Sequence, residues 1–139
     1  MVKLKGRNAI VTGAAVGLGS SYAKALAQQG VNVAVCDLRE EIHEIAESLR
    51  ALGVNAVSYQ GDVSDPDHVR TVVDGAREEF GSIDILVNNA GVWGVSVADD
   101  GMDKSIEDYE QIIGTNLKGE YLFGRAVIPI MIAQGNGGE

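Results

Sequence analysis

Apolar positions along this chain follow two alternating patterns. Short apolar, β-rich runs occupy residues 8–12, 31–36, 56–60 and 83–87. Between and after them, apolar residues recur at spacings of three and four. The first such set is Leu18, Tyr22, Ala23, Leu26 and Ala27, and the second is Ile42, Ile45, Leu49 and Leu52. Val69, Val72, Val73, Ala76 and Phe80 make the third. Tyr109, Ile112, Ile113, Leu117, Tyr121 and Leu122 begin the fourth, which runs on to residue 131. The runs predict strands, and the spaced sets predict amphipathic helices over 18–29, about 39–52, 66–80 and 109–131.

Punctuation supports these boundaries. Gly30, Gly53 and Gly81 follow the first three helices as C-terminal stops. Ser64-Asp65-Pro66 opens the third helix with a capping residue and then a proline, placed where a missing N–H costs least. Ser105-Ile106-Glu107-Asp108 resembles a capping box for the fourth, which Gly114, Gly119 and Gly124 weaken locally. A loop with Trp93, Gly94, Asp99, Asp100 and Gly101 precedes it. Strand–helix alternation repeated four times predicts a parallel sheet with helices on both faces. Right-handed crossovers then order the strands 3-2-1-4, with a crevice between strands 1 and 4. With 139 residues and no dividing linker, the chain reads as one domain over 1–139.

Two turns fall at strand ends beside that crevice. After the first strand comes Val11-Thr12-Gly13-Ala14-Ala15-Val16-Gly17-Leu18-Gly19. Glycines let the backbone take conformations that other residues avoid and let a ligand come close. The helix that follows aims free N–H groups and a positive dipole end at whatever lies over the turn, and a pyrophosphate suits it. A glycine-rich turn with no ligand is the plainer alternative. The second turn is Asn88-Asn89-Ala90-Gly91, after the fourth strand.

Composition narrows the function classes. Twenty acidic against eleven basic residues give a net charge of −9, and no basic stripe is present, so no nucleic-acid partner is expected. No apolar run is long enough to span a membrane. The N-terminus is charged and leads straight into the first strand, so no signal peptide is expected. The single cysteine, Cys36, excludes an internal disulfide and fits a reducing, cytoplasmic setting, reading as a buried inert thiol. His43 and His68 read as solvated, with no second ligand near them, so no metal site is expected.

Five features together resemble the short-chain dehydrogenase/reductase family of the non-extended type. They are Thr12-Gly-x-x-x-Gly17-x-Gly19, Asp37 after the second strand, Asp62-Val63 after the third, Asn88-Asn89-Ala90-Gly91 after the fourth, and Asn116 in the fourth helix. They occur in the family's order and spacing. The resemblance implies a Rossmann-type fold and NAD-dependent hydride transfer between the cofactor and a secondary alcohol or ketone. It implies that Gly13, Gly17 and Gly19 approach the pyrophosphate, with Leu18 contributing its backbone N–H while its side chain reads as core. Asp37 would take the adenosine ribose hydroxyls and repel a 2′-phosphate, since two unit charges about 4 Å apart at an effective dielectric near 20 repel by about 4 kcal/mol. Val16 offers no cation for that phosphate, while Arg39 stands nearby; a cap for the second helix is the other reading of Asp37. Asp62 would bond the adenine amino group and the Val63 backbone meet its ring, the alternative for Asp62 being a turn-stabilising side chain. Asn88 would tie strands together, while Asn89, Ala90 and Gly91 border the ribose and nicotinamide. Asn116 would be the catalytic-site member: a bend in its helix leaves a carbonyl to hold a relay water.

The family's Ser and Tyr-x-x-x-Lys are not found. Tyr22 has Lys24 at the wrong spacing, and Tyr121 has Arg125 at the right spacing but in the fourth helix, where an interface or core aromatic is expected. The chain therefore reads as an N-terminal, cofactor-binding portion, inactive alone. Strand 4 would be an apolar edge awaiting a missing C-terminal half or a second chain. In the family the fourth helix usually packs against its mate, so a homo-oligomer is expected. A non-enzymatic NAD(H)-binding module or subunit is the second reading.

Overall fold

The computed structural model describes residues 3–93 and 105–135. Strands β1 (Asn8–Thr12), β2 (Asn32–Asp37), β3 (Ala56–Gln60) and β4 (Ile85–Val87) form one parallel sheet in the order β3-β2-β1-β4. This is the expected order. Ala9 pairs with Val33 on one side and Ile85 on the other.

Alternate residues of each strand feed opposite layers, because side chains on a strand alternate between faces. Ala9 and Val11 of β1, with Val33 and Val35 of β2, face helices α1 (Gly17–Gln28) and α2 (Ile42–Arg50). Ile10, Ala34 and Cys36 face α3 (Pro66–Phe80) and α5 (Gly119–Gln134), around the fully buried Phe123 and Val127. Cys36 is buried as expected, and burial pushes its thiol up to about 12, with the Asp37 charge adding to it.

The helix starts follow local chemistry. Asp65 caps α3 through Asp67 N, with Pro66 at the first position. Ser105 and Asp108 close a full capping box on α4 (Ile106–Ile113). Gln134, near the end of α5, clamps the backbone N–H and carbonyl of Ile83 at 2.9 Å each.

Several expectations are corrected. The expected core side chains Leu18 and Tyr22 are exposed, at 66% and 42%. The buried stripe of α1 is instead Gly19, Ala23 and Ala27, small residues that let the helix lie close to the sheet. Helix α2 is shorter than expected, and Leu52 beyond it is 43% exposed. The fourth strand begins at Ile85, and Asp84 before it is buried, accepting from Asn8 N and the Ser82 hydroxyl. The single long fourth helix is two helices, α4 and α5, joined by a π-helical turn over Gly114–Lys118. Residues 94–101 of the expected loop lie outside the described residues.

Candidate functional site

The carboxyl ends of the four strands meet in a closed ring of contacts. Its centre is the glycine turn between β1 and α1. Gly13 has φ +64°, and a Cβ there would sit 2.7 Å from Ala90 Cα, so both conformation and packing demand glycine. Gly19 is needed for space alone: a Cβ would overlap Gly13 O and lie 2.6 Å from Asn89 Nδ2. Gly17 has φ +60° with nothing within 4 Å of where a Cβ would go, so the space over it is open.

Helix α1 begins in that open space without protection. Val16 at the cap position makes no side-chain bond, and the first turn holds no acid. Its first N–H groups have no partner within the helix and lie at the positive end of a 12-residue helix dipole. Leu18, whose side chain is exposed rather than core, lies in this first turn with its backbone N–H on offer.

Three links hold the turn. Asn89 donates through Nδ2 to the carbonyls of Thr12 and Gly13, both at 3.1 Å. The Thr12 hydroxyl accepts from Asn89 N and Ala90 N at 3.0 Å each. The cross-strand tie expected of Asn88 is thus made by its neighbour Asn89, while Asn88 is exposed. On the other side, Asp37 accepts from Ala15 N through Oδ2 and from Arg39 N through Oδ1, each at 3.0 Å. Its reading as a helix cap is corrected, because α2 starts later, with Glu41 at the cap position. Each carboxylate oxygen of Asp37 retains a further lone pair for a ligand.

From Asp37 the ring continues to the turn after β3. Gly61 N donates to the Asp37 carbonyl at 2.9 Å. Asp62 Oδ1 accepts from Ser64 N at 2.8 Å, so Asp62 does stabilise its turn, with Oδ2 left over. Val63 is buried in the core and supports Gly119, while Ser64 supports Gly114. These two glycines flank the π-helical turn, and a Cβ on Gly119 would be 2.8 Å from Val63 Cγ2. π-Helical turns recur at functional sites. Within this one, Asn116 clamps Val92 after β4: its Oδ1 accepts from Val92 N at 2.8 Å and its Nδ2 donates to Val92 O at 2.9 Å. Gly91 lies beside the Asn116 side chain and closes the ring back to Asn89 and Ala90.

The expected site residues therefore all lie on the turns and helix starts that this ring of contacts joins, with Val63 on its buried side. Thr12, Ala15 and Val92 belong to the same ring and were not singled out from sequence. The signals were slight: a threonine just before the first glycine, and two backbone groups that no side-chain pattern reveals. Tyr121 is 60% exposed, which removes its core reading. Among the described residues no cluster of His, Cys, Asp and Glu is arranged to hold a metal. Among the described residues, one groove lies between α3 and α5 and another beside α1, both apart from this ring.

The chain is similar to known proteins in sequence and in fold. The chain is 38% identical over 137 residues to the oxidoreductase UcpA of Escherichia coli, covering 99% of this chain and 51% of that one. It is 35% identical over 133 residues to the 3-oxoacyl-[acyl-carrier-protein] reductase FabG of Staphylococcus aureus, covering 94% and 53%. The chain thus spans about half the length of the curated relatives it matches. Among solved structures, a short chain dehydrogenase/reductase from Burkholderia phymatum in complex with NAD superposes with a TM-score of 0.91 at 30% identity, covering 99% of this chain and 48% of that one. An NAD+-bound xylitol dehydrogenase superposes at 0.88 with 34% identity, covering 98% and 52%. Residues 7–138 match the short chain dehydrogenase family, and the chain belongs to that family.

Proposed function

We propose that this chain holds the cofactor-binding half of an NAD(H)-dependent oxidoreductase acting on a secondary alcohol or ketone. The observation that carries the reading is the pairing of an uncapped helix N-terminus under open space with the Asp37 carboxylate at the next strand end. The NAD-bound relatives add support, since their matched portion is this one.

The residues fit NAD. Backbone N–H groups of residues 17–19 would hold the pyrophosphate, and the open face of Gly17 admits it. Asp37 would take both hydroxyls of the adenosine ribose, while its charge disfavours a 2′-phosphate. Asp62, through its remaining oxygen, would meet the adenine amino group, beside the Val63 backbone. Asn89, Ala90 and Gly91 would border the nicotinamide side, where Asn89 acts by fixing the turn. Bound NAD(H) supplies or accepts the hydride. Asn116 spends its side chain on Val92, so its contribution to proton transfer is a backbone carbonyl within the widened π-helical turn. The titrating acid and the substrate pocket would come from a segment carrying Ser and Tyr-x-x-x-Lys, paired at the free side of β4.

Calorimetric titration of the purified chain with both cofactors tests this reading. Tighter binding of NAD than NADP is expected, levelled or reversed in Asp37→Ser combined with Leu38→Arg. Equal affinity in the unaltered chain would overturn the role given to Asp37. Binding of NAD without turnover, even when a segment bearing Tyr-x-x-x-Lys is supplied, would favour the second reading, a non-enzymatic NAD(H)-binding module.

A further inference from the structure

His68 stands in the first turn of α3, where the sequence suggests a solvated histidine. Its ring is instead folded against the turn that precedes its own helix. Nε2 is buried and has no hydrogen-bond partner. A Cβ on Gly61 would overlap Nδ1 and lie 2.6 Å from Cε1 and 2.7 Å from Cγ. Gly61 does not have positive φ, so a side chain there would conflict with the ring in this position and not with the backbone conformation. The ring therefore backs the peptide that joins β3 to Asp62.

Three influences act on this ring. Burial lowers its proton affinity from the ordinary value of 6.5 and is the largest. Asp65, the cap of its own helix, and Asp62, in the turn it backs, oppose that and are the charged groups whose fields reach it. The N-terminal end of α3, a helix of 15 residues, adds positive potential that also disfavours an imidazolium. The neutral ring thus suits the packed position. A protonated ring would bury an N–H that has no acceptor, with two carboxylates close by that would accept it if the ring moved.

We propose that His68 is a proton-operated latch on the turn 61–64: the neutral ring wedges the turn in place, and the imidazolium leaves the wedge and takes the Asp62 carboxylate as its partner. The consequence for ligands rests on the reading of Asp62 as the adenine contact. A carboxylate paired with imidazolium is withdrawn from an adenine amino group. The sign follows from the neutral form being favoured when packed: the latch is closed above the ordinary histidine value and opens as pH falls below it.

The test uses the whole chain, labelled for NMR and titrated from about pH 8 to about pH 5. The chain has two histidines, so His43→Gln leaves His68 as the single imidazole signal. His68 should titrate below 6.5, and the amides of Gly61, Asp62 and Ser64 should move with the same midpoint. In His68→Gln that shared transition should vanish. AMP, the probe for the adenine contact, should lose about fivefold in affinity between about pH 7.5 and about pH 5.5 in the unaltered chain, and hold nearly constant in His68→Gln. A His68 transition with no accompanying change in the turn amides overturns the latch, as does an identical AMP profile in both proteins. Asp62→Asn at about pH 7.5 separates the two claims: unchanged AMP affinity there removes the adenine reading, while the amide transition still judges the latch. Should His68→Gln fold poorly, or AMP bind too weakly to measure, the coupling of His68 to the turn amides in His43→Gln decides the matter.

Discussion

Gly17 and Gly19 look alike in the sequence but answer to different constraints. Gly17 needs its positive φ and has free space around it, whereas Gly19 needs the space that a side chain would take from Gly13 and Asn89. Gly17→Ala should therefore cost about 1 kcal/mol of stability, the strain of a left-handed alanine. Gly19→Ala should cost about 3 kcal/mol, because the obstacle is backbone and α1 must lift off the turn. Urea denaturation of both variants checks the order, and a Gly17→Ala cost equal to or above that of Gly19→Ala would contradict it. Asn89 follows the same logic of position over type. Two adjacent asparagines are indistinguishable by pattern, and only the chain's direction at the end of β4 decides which amide reaches Thr12 and Gly13.

Among the elements, the break between α4 and α5 is the most informative. Periodicity alone reads 109–131 as one helix, because a π-helical turn adds one residue without interrupting the apolar stripe. The glycines were legible as weak points, yet at Gly119 the cause is tertiary: Val63 leaves no room there for a Cβ, while Gly114 packs in ordinary contact with Ser64. The turn presents Asn116 to Val92. Asn116→Ala should release both backbone groups of Val92 at a cost of about 1 kcal/mol, since the pair is solvent-exposed. Hydrogen exchange should quicken at Val92 while the core strands β1 and β2 keep their protection. Exchange at Val92 unchanged from the unaltered chain would show that the clamp does not hold the segment. In α1 the periodic large residues pointed to the wrong face, since close approach to the sheet favours alanine and glycine over leucine.

At the scale of the molecule, two features bear on assembly. One runs along α4 and α5, where Tyr109, Leu117, Tyr121, Ile128 and Ile132 are each more than half exposed. A homo-oligomer built on this face is the expected state, because patches of this kind on soluble proteins mark interfaces. Sedimentation should show a species larger than a monomer at micromolar concentration, and Leu117→Asp with Ile128→Asp should dissociate it. A stable, folded monomer of the unaltered chain would refute this. The other is the free side of β4, which among the described residues pairs with β1 alone. If the proposed division of labour holds, the chain by itself should give no NADH from a panel of secondary alcohols, since loss of a general acid–base typically costs about 10²–10⁴ in rate and loss of positioning adds to it. Turnover that disappears in Tyr121→Phe would overturn this and make Tyr121 catalytic.

The amino-acid sequence by itself determined the fold class, the strand order and the crevice edge. Those follow from local signals: the period of the apolar positions, capping residues such as Asp65 and Ser105, and the right-handed crossover rule. It also singled out Gly13, Gly17, Gly19 and Asp37 as candidates, because glycine spacing and an acid at a strand end carry meaning without neighbours. Tertiary structure alone decided what each of those residues touches. It assigned the tie to Asn89 rather than Asn88 and made Asp37 a support of the glycine turn as well as a free carboxylate face. It also turned Leu18 outward and set the ring of His68 against Gly61, with Nε2 buried. Such outcomes depend on contacts between residues dozens of positions apart, whose energies are set by a few tenths of an ångström of packing and leave no periodic trace in the chain.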